Sequence, residues 1–183
     1  MKAVEIMMDE HRVIEKALKS LEKAANKIEA GEDVRTEFFL EAAEFIQEYA
    51  DGCHHSKEEN IFFGIMLSSG YSKDEDPLKT MYTEHNMGRH FIRGMKMATE
   101  EVIAGDKTRN KNISANAKNY VVLLRFHIKR EDNEVFPDAI NDLSDETISD
   151  IEKAFEEEYN KELENGLHTK YAALAEKLEK EME

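Results

Sequence analysis

The stretch "HHSKEENIFF", residues 54 to 63, decides how this chain is read. It follows "EFIQEYADGC" (44–53), part of a helix whose buried stripe is Phe38, Phe39, Ala42, Ala43, Phe45, Ile46 and Ala50. Where that stripe should continue, two imidazoles and then two carboxylates appear. Polar groups on a buried face need partners. A near copy, "HIKREDNEVF", stands at 127–136, an offset of 73. His54 then matches His127, Lys57 matches Arg130, Glu58 matches Glu131, Glu59 matches Asp132 and Asn60 matches Asn133. "DEHR" around His11 likewise matches "TEHN" around His85, an offset of 74. The counterpart of His55 is Ile128, so the repeat selects His54 and leaves His55 as a flanking residue. Residues i and i+4 share a helix face, so His54 with Glu58, and His127 with Glu131, can each aim two donors at one point.

The rest of the chain reads as helices. Val4, Met7, Ile14, Leu18, Leu21, Ala25 and Ile28 recur three and four apart, with His11 in the one gap, and Gly31 closes the segment. A second helix spans about 34–66. After the loop "LSSGYSKDEDP", Asp76 is expected to cap a third helix that starts at Pro77 and stops at Gly105. The fourth carries Ile113, Ala117, Tyr120, Leu124, His127, Glu131 and Val135. Ser144 should cap a fifth, broken at Gly166, and the acidic tail from Leu167 reads as helical. The expected architecture is all-α: an up-down-up-down antiparallel four-helix bundle over residues 1–142, with 143–183 a helical extension packed on it or prolonging it.

Composition agrees. The chain has 183 residues, 40% of them hydrophobic and 36% charged, which suits a single well-solvated core. A net charge of −15 argues against nucleic acid and against an anionic membrane as partners. No apolar run approaches the ~20 residues of a membrane span, and the N-terminus has no secretory pattern. The one cysteine, Cys53, excludes an internal disulfide, so the expected location is cytoplasmic.

Depth separates a site from a set of accidents. His11 precedes Gly31 by 20 residues and His54 follows it by 23; His85 precedes Gly105 by 20 and His127 follows it by 22. In antiparallel helices all four come level, roughly 30 Å from their turns at 1.5 Å per residue. Four imidazoles and two carboxylates are too many for one structural zinc, and the thiolates such sites often use are lacking. Shared between two metals, they give each two histidines, with both glutamates able to bridge. Mixed N/O ligation suits iron, manganese or zinc, and iron when the ligand derives from dioxygen.

"DEH" at His11, "HHSKEENIFF", "TEHNMGR" and "FHIKREDNEVFP", in this order and spacing, resemble the hemerythrin-like, or HHE cation-binding, family over about residues 5–140. The resemblance implies a four-helix bundle with two iron ions, often bridged by an oxo or hydroxo group, on His11, His54, Glu58, His85, His127 and Glu131. Respiratory members place His-x-x-x-His on the third helix; here Arg89 stands four residues after His85, and His90 faces away from the stripe. That departure argues against simple reversible oxygen carriage. The resemblance implies a small ligand (dioxygen, nitric oxide or peroxide) for sensing, scavenging or storage. The alternatives are a di-iron enzyme acting on peroxide or nitric oxide, and an iron donor for repair of iron-sulfur clusters. Cys53 reads as a small core-edge residue, Tyr49, Tyr82 and Tyr120 as packing, the nine methionines as gap filling, and His168 as a surface residue.

Overall fold

The computed structural model describes residues 2–183 and is all-helical, with no strand among them. Six helical rods follow one another. α1 is Lys2–Glu29. α2 joins four segments end to end: α-helix Glu37–Phe45, π-helix Ile46–His55, π-turn Glu58–Phe62 and α-helix Phe63–Ser68. α3 is Leu78–Ile103. α4 joins Asn110–Arg130, a π-turn Glu131–Val135 and Phe136–Asp142. α5 is Asp145–Glu164 and α6 is Leu167–Glu181.

The periodicity predicted the rods but not their π-segments. In both halves a π-turn begins on a glutamate, where the amide of Phe63 donates to the Glu58 carbonyl and that of Phe136 to the Glu131 carbonyl. Such i→i+5 turns cluster at functional positions because the widened turn re-aims a side chain. Their matched placement carries the internal repeat into the backbone. The rod ends follow local chemistry. Gly31 and Gly105 have φ of +79° and +112°, which an L side chain resists, and the chain reverses after each. Ser144 caps α5 by accepting from the Thr147 amide at 3.2 Å. Asp76 does not cap α3; it accepts the Thr80 hydroxyl instead, and Pro77 precedes the first helical residue, Leu78.

α1 packs on α4 and α3 on α4. Cross-links fix the sense of two pairs. His11 meets Asp132, Glu22 meets Arg125 and the Ala25 carbonyl meets Ser114, so α1 and α4 run antiparallel. Arg89 meets Asp51 and His85 meets Glu59, so α3 opposes α2. α6 lies on α1 and α2, and α5 on α1 and α6.

The core is divided. One apolar cluster gathers Ile14, Leu18, Leu21, Phe38, Phe45, Met95, Ile113 and Leu124, and α6 adds Tyr171 and Leu178. The other gathers Met7, Phe62, Phe63, Leu78, Met81 and Phe136, and α5 adds Ile151 and Phe155. The histidine-glutamate layer lies along the rods between them, with Met7 and Ile14 on either side of His11. No helix among the described residues is long and apolar enough to cross a membrane.

Because α5 seals the second cluster through Phe155, which has no exposed surface, truncating Phe155 to Ala should cost about 3–5 kcal/mol. Phe126, 64% exposed, should tolerate the same change within about 0.5 kcal/mol. Urea unfolding of the two variants checks the contrast.

Candidate metal centre

The structure brings all six sequence-selected residues together. His11, His54, Glu58, His85, His127 and Glu131 are each at most 1% exposed. The imidazoles form two pairs. Nε2 of His11 faces Nε2 of His54 at 2.9 Å, and Nε2 of His85 faces Nε2 of His127 at 3.0 Å. The glutamates lie between the pairs. Glu58 places Oε1 3.3 Å from His54 Nε2 and Oε2 3.4 Å from His85 Nε2. Glu131 places Oε1 3.0 Å from His127 Nε2 and Oε2 3.3 Å from His11 Nε2. Each carboxylate therefore spans both pairs, one oxygen to each.

The opposite edge of every ring is also spoken for. Nδ1 of His11 meets Asp132 at 2.7 Å, His54 meets Glu10 at 2.8 Å, His85 meets Glu59 at 2.6 Å and His127 meets Glu84 at 2.9 Å. An ionised carboxylate only accepts, so each Nδ1 carries the proton and donates it. Nε2 is then the lone-pair nitrogen, and it points inward. These four carboxylates are residues the sequence reading did not assign. Their signal was present: each adjoins a selected residue, and Glu10/Glu84 and Glu59/Asp132 are matched by the repeat. Cations back them. Arg12 pairs with Asp132, Arg89 with Glu59 at 2.8 Å, Arg130 with Glu84 at 2.5 Å and buried Lys57 with Glu10 at 2.9 Å. Phe136 stacks on the His11 ring and Phe63 on the His85 ring, again as a repeat pair.

The donor set fits a bound cation pair on two counts. Two lone-pair nitrogens at 2.9 Å repel unless a proton or a metal lies between them. None of the four oxygens of Glu58 and Glu131 has a hydrogen-bond partner, although all are buried, so each carboxylate needs a cation facing it, an imidazolium or a metal. Donor atoms of His11, His54, Glu58 and Glu131 lie within 4.8 Å of one another, as do those of His55, Glu58, His85 and His127.

Without metal, protons do part of the work. Burial opposes charge on His54 and His127, but Glu58 and Glu131 outweigh it and raise each to about 10. His11 and His85 rise too, against burial, through their carboxylate partners. Burial would raise Glu131, and Glu58 adds to it, yet His127 and His11 hold it down to about 2. His55 goes the other way, to about 3, through burial and then the charge on His85.

Other expectations resolve as follows. His90 is exposed and away from the layer. His55 is buried against it, its ring stacked on His85 at 4.0 Å between centroids. His168 is not a free surface residue: it bonds Glu162 at 3.0 Å and packs on Tyr159, because α6 folds back across α5. Cys53 is buried within 3.1 Å of Glu162 and 3.0 Å of Lys57. Glu10, Cys53, Glu162 and His168 also converge, but the Lys57 ammonium, 2.7 Å from Glu162, already neutralises that cluster. Tyr120 is buried, its hydroxyl without a hydrogen-bond partner.

A family model described as the hemerythrin HHE cation binding domain matches residues 2–139. The chain belongs to that family. It is accordingly a metal-binding protein, iron being the usual metal of hemerythrin-like domains. No curated protein and no solved structure matches the chain.

Each Nε2 pair, 3.0 Å or less apart, has room for one shared proton, which displacement by metal must expel. Filling the hemerythrin-like site at pH 7 should therefore release about two protons per chain, and metal affinity should rise with pH. Indicator-dye titration in weak buffer checks this; uptake with no proton release contradicts it.

Proposed function

We propose that this hemerythrin-like protein holds two iron ions, one between His11 and His54 and one between His85 and His127, with Glu58 and Glu131 bridging. Manganese and zinc fit the same donors. In this reading it binds dioxygen, nitric oxide or peroxide for sensing, scavenging or storage. The reading takes α1 to α4 as an up-down-up-down antiparallel bundle, residues 1–142, carrying residues 143–183 as an extension. One observation supports it above the rest: two inward-facing Nε2 pairs, with both oxygens of each glutamate divided between them.

Bound there, the irons would supply redox equivalents and the coordination positions that six side chains leave open. The chain's own residues set the conditions. Glu10, Asp132, Glu59 and Glu84 hold the Nδ1 protons and so fix each ring's tautomer and aim. Phe63 and Phe136 cover His85 and His11 and keep bulk water from the layer. A cavity of about 260 Å³, lined by His55, His85, Ile46, Ile92 and Tyr120 among others, gives a small ligand a way in beside one pair. The net charge of −15 favours small neutral ligands over phosphate polymers. The single cysteine supports a reducing, cytoplasmic setting.

Anaerobic titration with ferrous ion tests the reading. Two equivalents should bind per chain, and admitting air should bring up charge-transfer absorption in the near ultraviolet. Glu84→Gln should weaken metal retention by about 10–100-fold, as expected when a carboxylate behind a ligand is lost. A chain that takes up no ferrous ion would overturn the proposal.

A further inference from the structure

We infer that the outer face of α3 and α4 binds a second copy of this chain, the two helical hairpins packing about a two-fold axis. The inference stands apart from the metal pair.

Three observations carry it. First, the internal repeat identifies a face that is covered in one half and bare in the other. In the first half α5 and α6 close over α1 and α2: Tyr49, 2% exposed, packs on Tyr171, and Cys53, 1% exposed, meets Glu162. Their counterparts, an offset of 73 along the chain, are Val122 and Phe126, and these are 54% and 64% exposed. Gly88 backs on Tyr120 and Gly94 on Asn116, so α3 and α4 run antiparallel side by side. That sets Met87, 44% exposed, level with Val122, and Met97, 63% exposed, further along the same outer face. Apolar side chains gathered on one exposed face mark a contact. Second, the face carries no acid. Although 40 of the 183 residues are acidic, none stands between His85 and Thr99 on α3 or between Asn110 and Arg130 on α4. Arg89, Lys118 and Arg125 turn aside to acids on α2 and α1. Two copies carrying −15 each repel, and this face lets them meet with no acid opposed. Third, the cover over the first half is a helical hairpin with an apolar inner face, α5 with α6. α3 with α4 is itself a hairpin with an apolar outer face, so a second copy presents the kind of cover this half lacks. One patch then serves both partners, the isologous contact of a two-fold dimer, and its composition is that of homodimer interfaces, apolar and poor in charge.

Sedimentation of the full-length protein over a wide range of concentration tests this. The parent should reach twice the mass of one chain and not pass it. Phe126→Glu and, independently, Val122→Glu should stay at the mass of one chain with unchanged helical circular dichroism, because each brings an acid from both copies into one contact. Ile140→Glu, at an apolar residue 36% exposed near the end of α4, should still dimerise. Urea unfolding at a dilution below dissociation reads the single chain, in which these side chains are free, and so is blind to the contact. A parent that stays monomeric would overturn the inference and leave the face to a different protein. Growth past two copies would overturn the two-fold contact. A dimer that survives both glutamates on the face, or one that Ile140→Glu abolishes, would place the contact elsewhere and overturn it as well.

Discussion

Two imidazole Nε2 atoms face each other at 2.9 Å in one pair and 3.0 Å in the other inside a helical bundle, and each pair needs a proton or a metal between its nitrogens. Left alone, each contact is repulsive. The surrounding structure prevents the rings from escaping it. Every Nδ1 is tied to a carboxylate on a neighbouring rod, so turning a ring away would break a charge-assisted hydrogen bond in a buried layer. The two apolar clusters above and below the layer supply the stability that lets it persist. Hydrophobic burial is spent on holding six ionisable groups where only a cation satisfies them all.

The internal repeat is the economy behind this arrangement. Each half contributes a histidine preceded by a glutamate, and a His-x-x-x-Glu followed by a second acid. The glutamate behind each first-helix histidine serves the second-helix ring: Glu10 bonds His54 and Glu84 bonds His127. The second acid reaches the first-helix ring of the other half: Glu59 bonds His85 and Asp132 bonds His11. Two breaks in the symmetry have consequences for the layer. On α2, Lys57 is buried and clamped by Glu162 from α5, whereas its counterpart Arg130 is only half-buried. The other break is His55 against Ile128. One half of the layer is thus tied to the C-terminal helices and the other opens toward a cavity.

Much of this was legible in the residues. Helical periodicity gave the rods, the two glycine turns gave the depth, and the repeat separated His54 from His55 as the residue common to both halves. The carboxylates behind the rings were visible in the same repeat, but nothing in a linear pattern says that a half-buried acid reaches across to a different rod. The π-turns at Glu58 and Glu131 were not legible, because an i→i+5 turn leaves no signature in a three-four apolar spacing. Nor was the position of His168. A lone polar residue beside a helix-breaking glycine reads as surface until the fold brings α6 back across α5 to meet Glu162.

Anomalous X-ray diffraction from iron-loaded crystals tests the central claim most directly. Two metal peaks are expected, one beside each Nε2 pair, with Glu58 and Glu131 each touching both. A single peak, or peaks lying away from the four imidazoles, would contradict it.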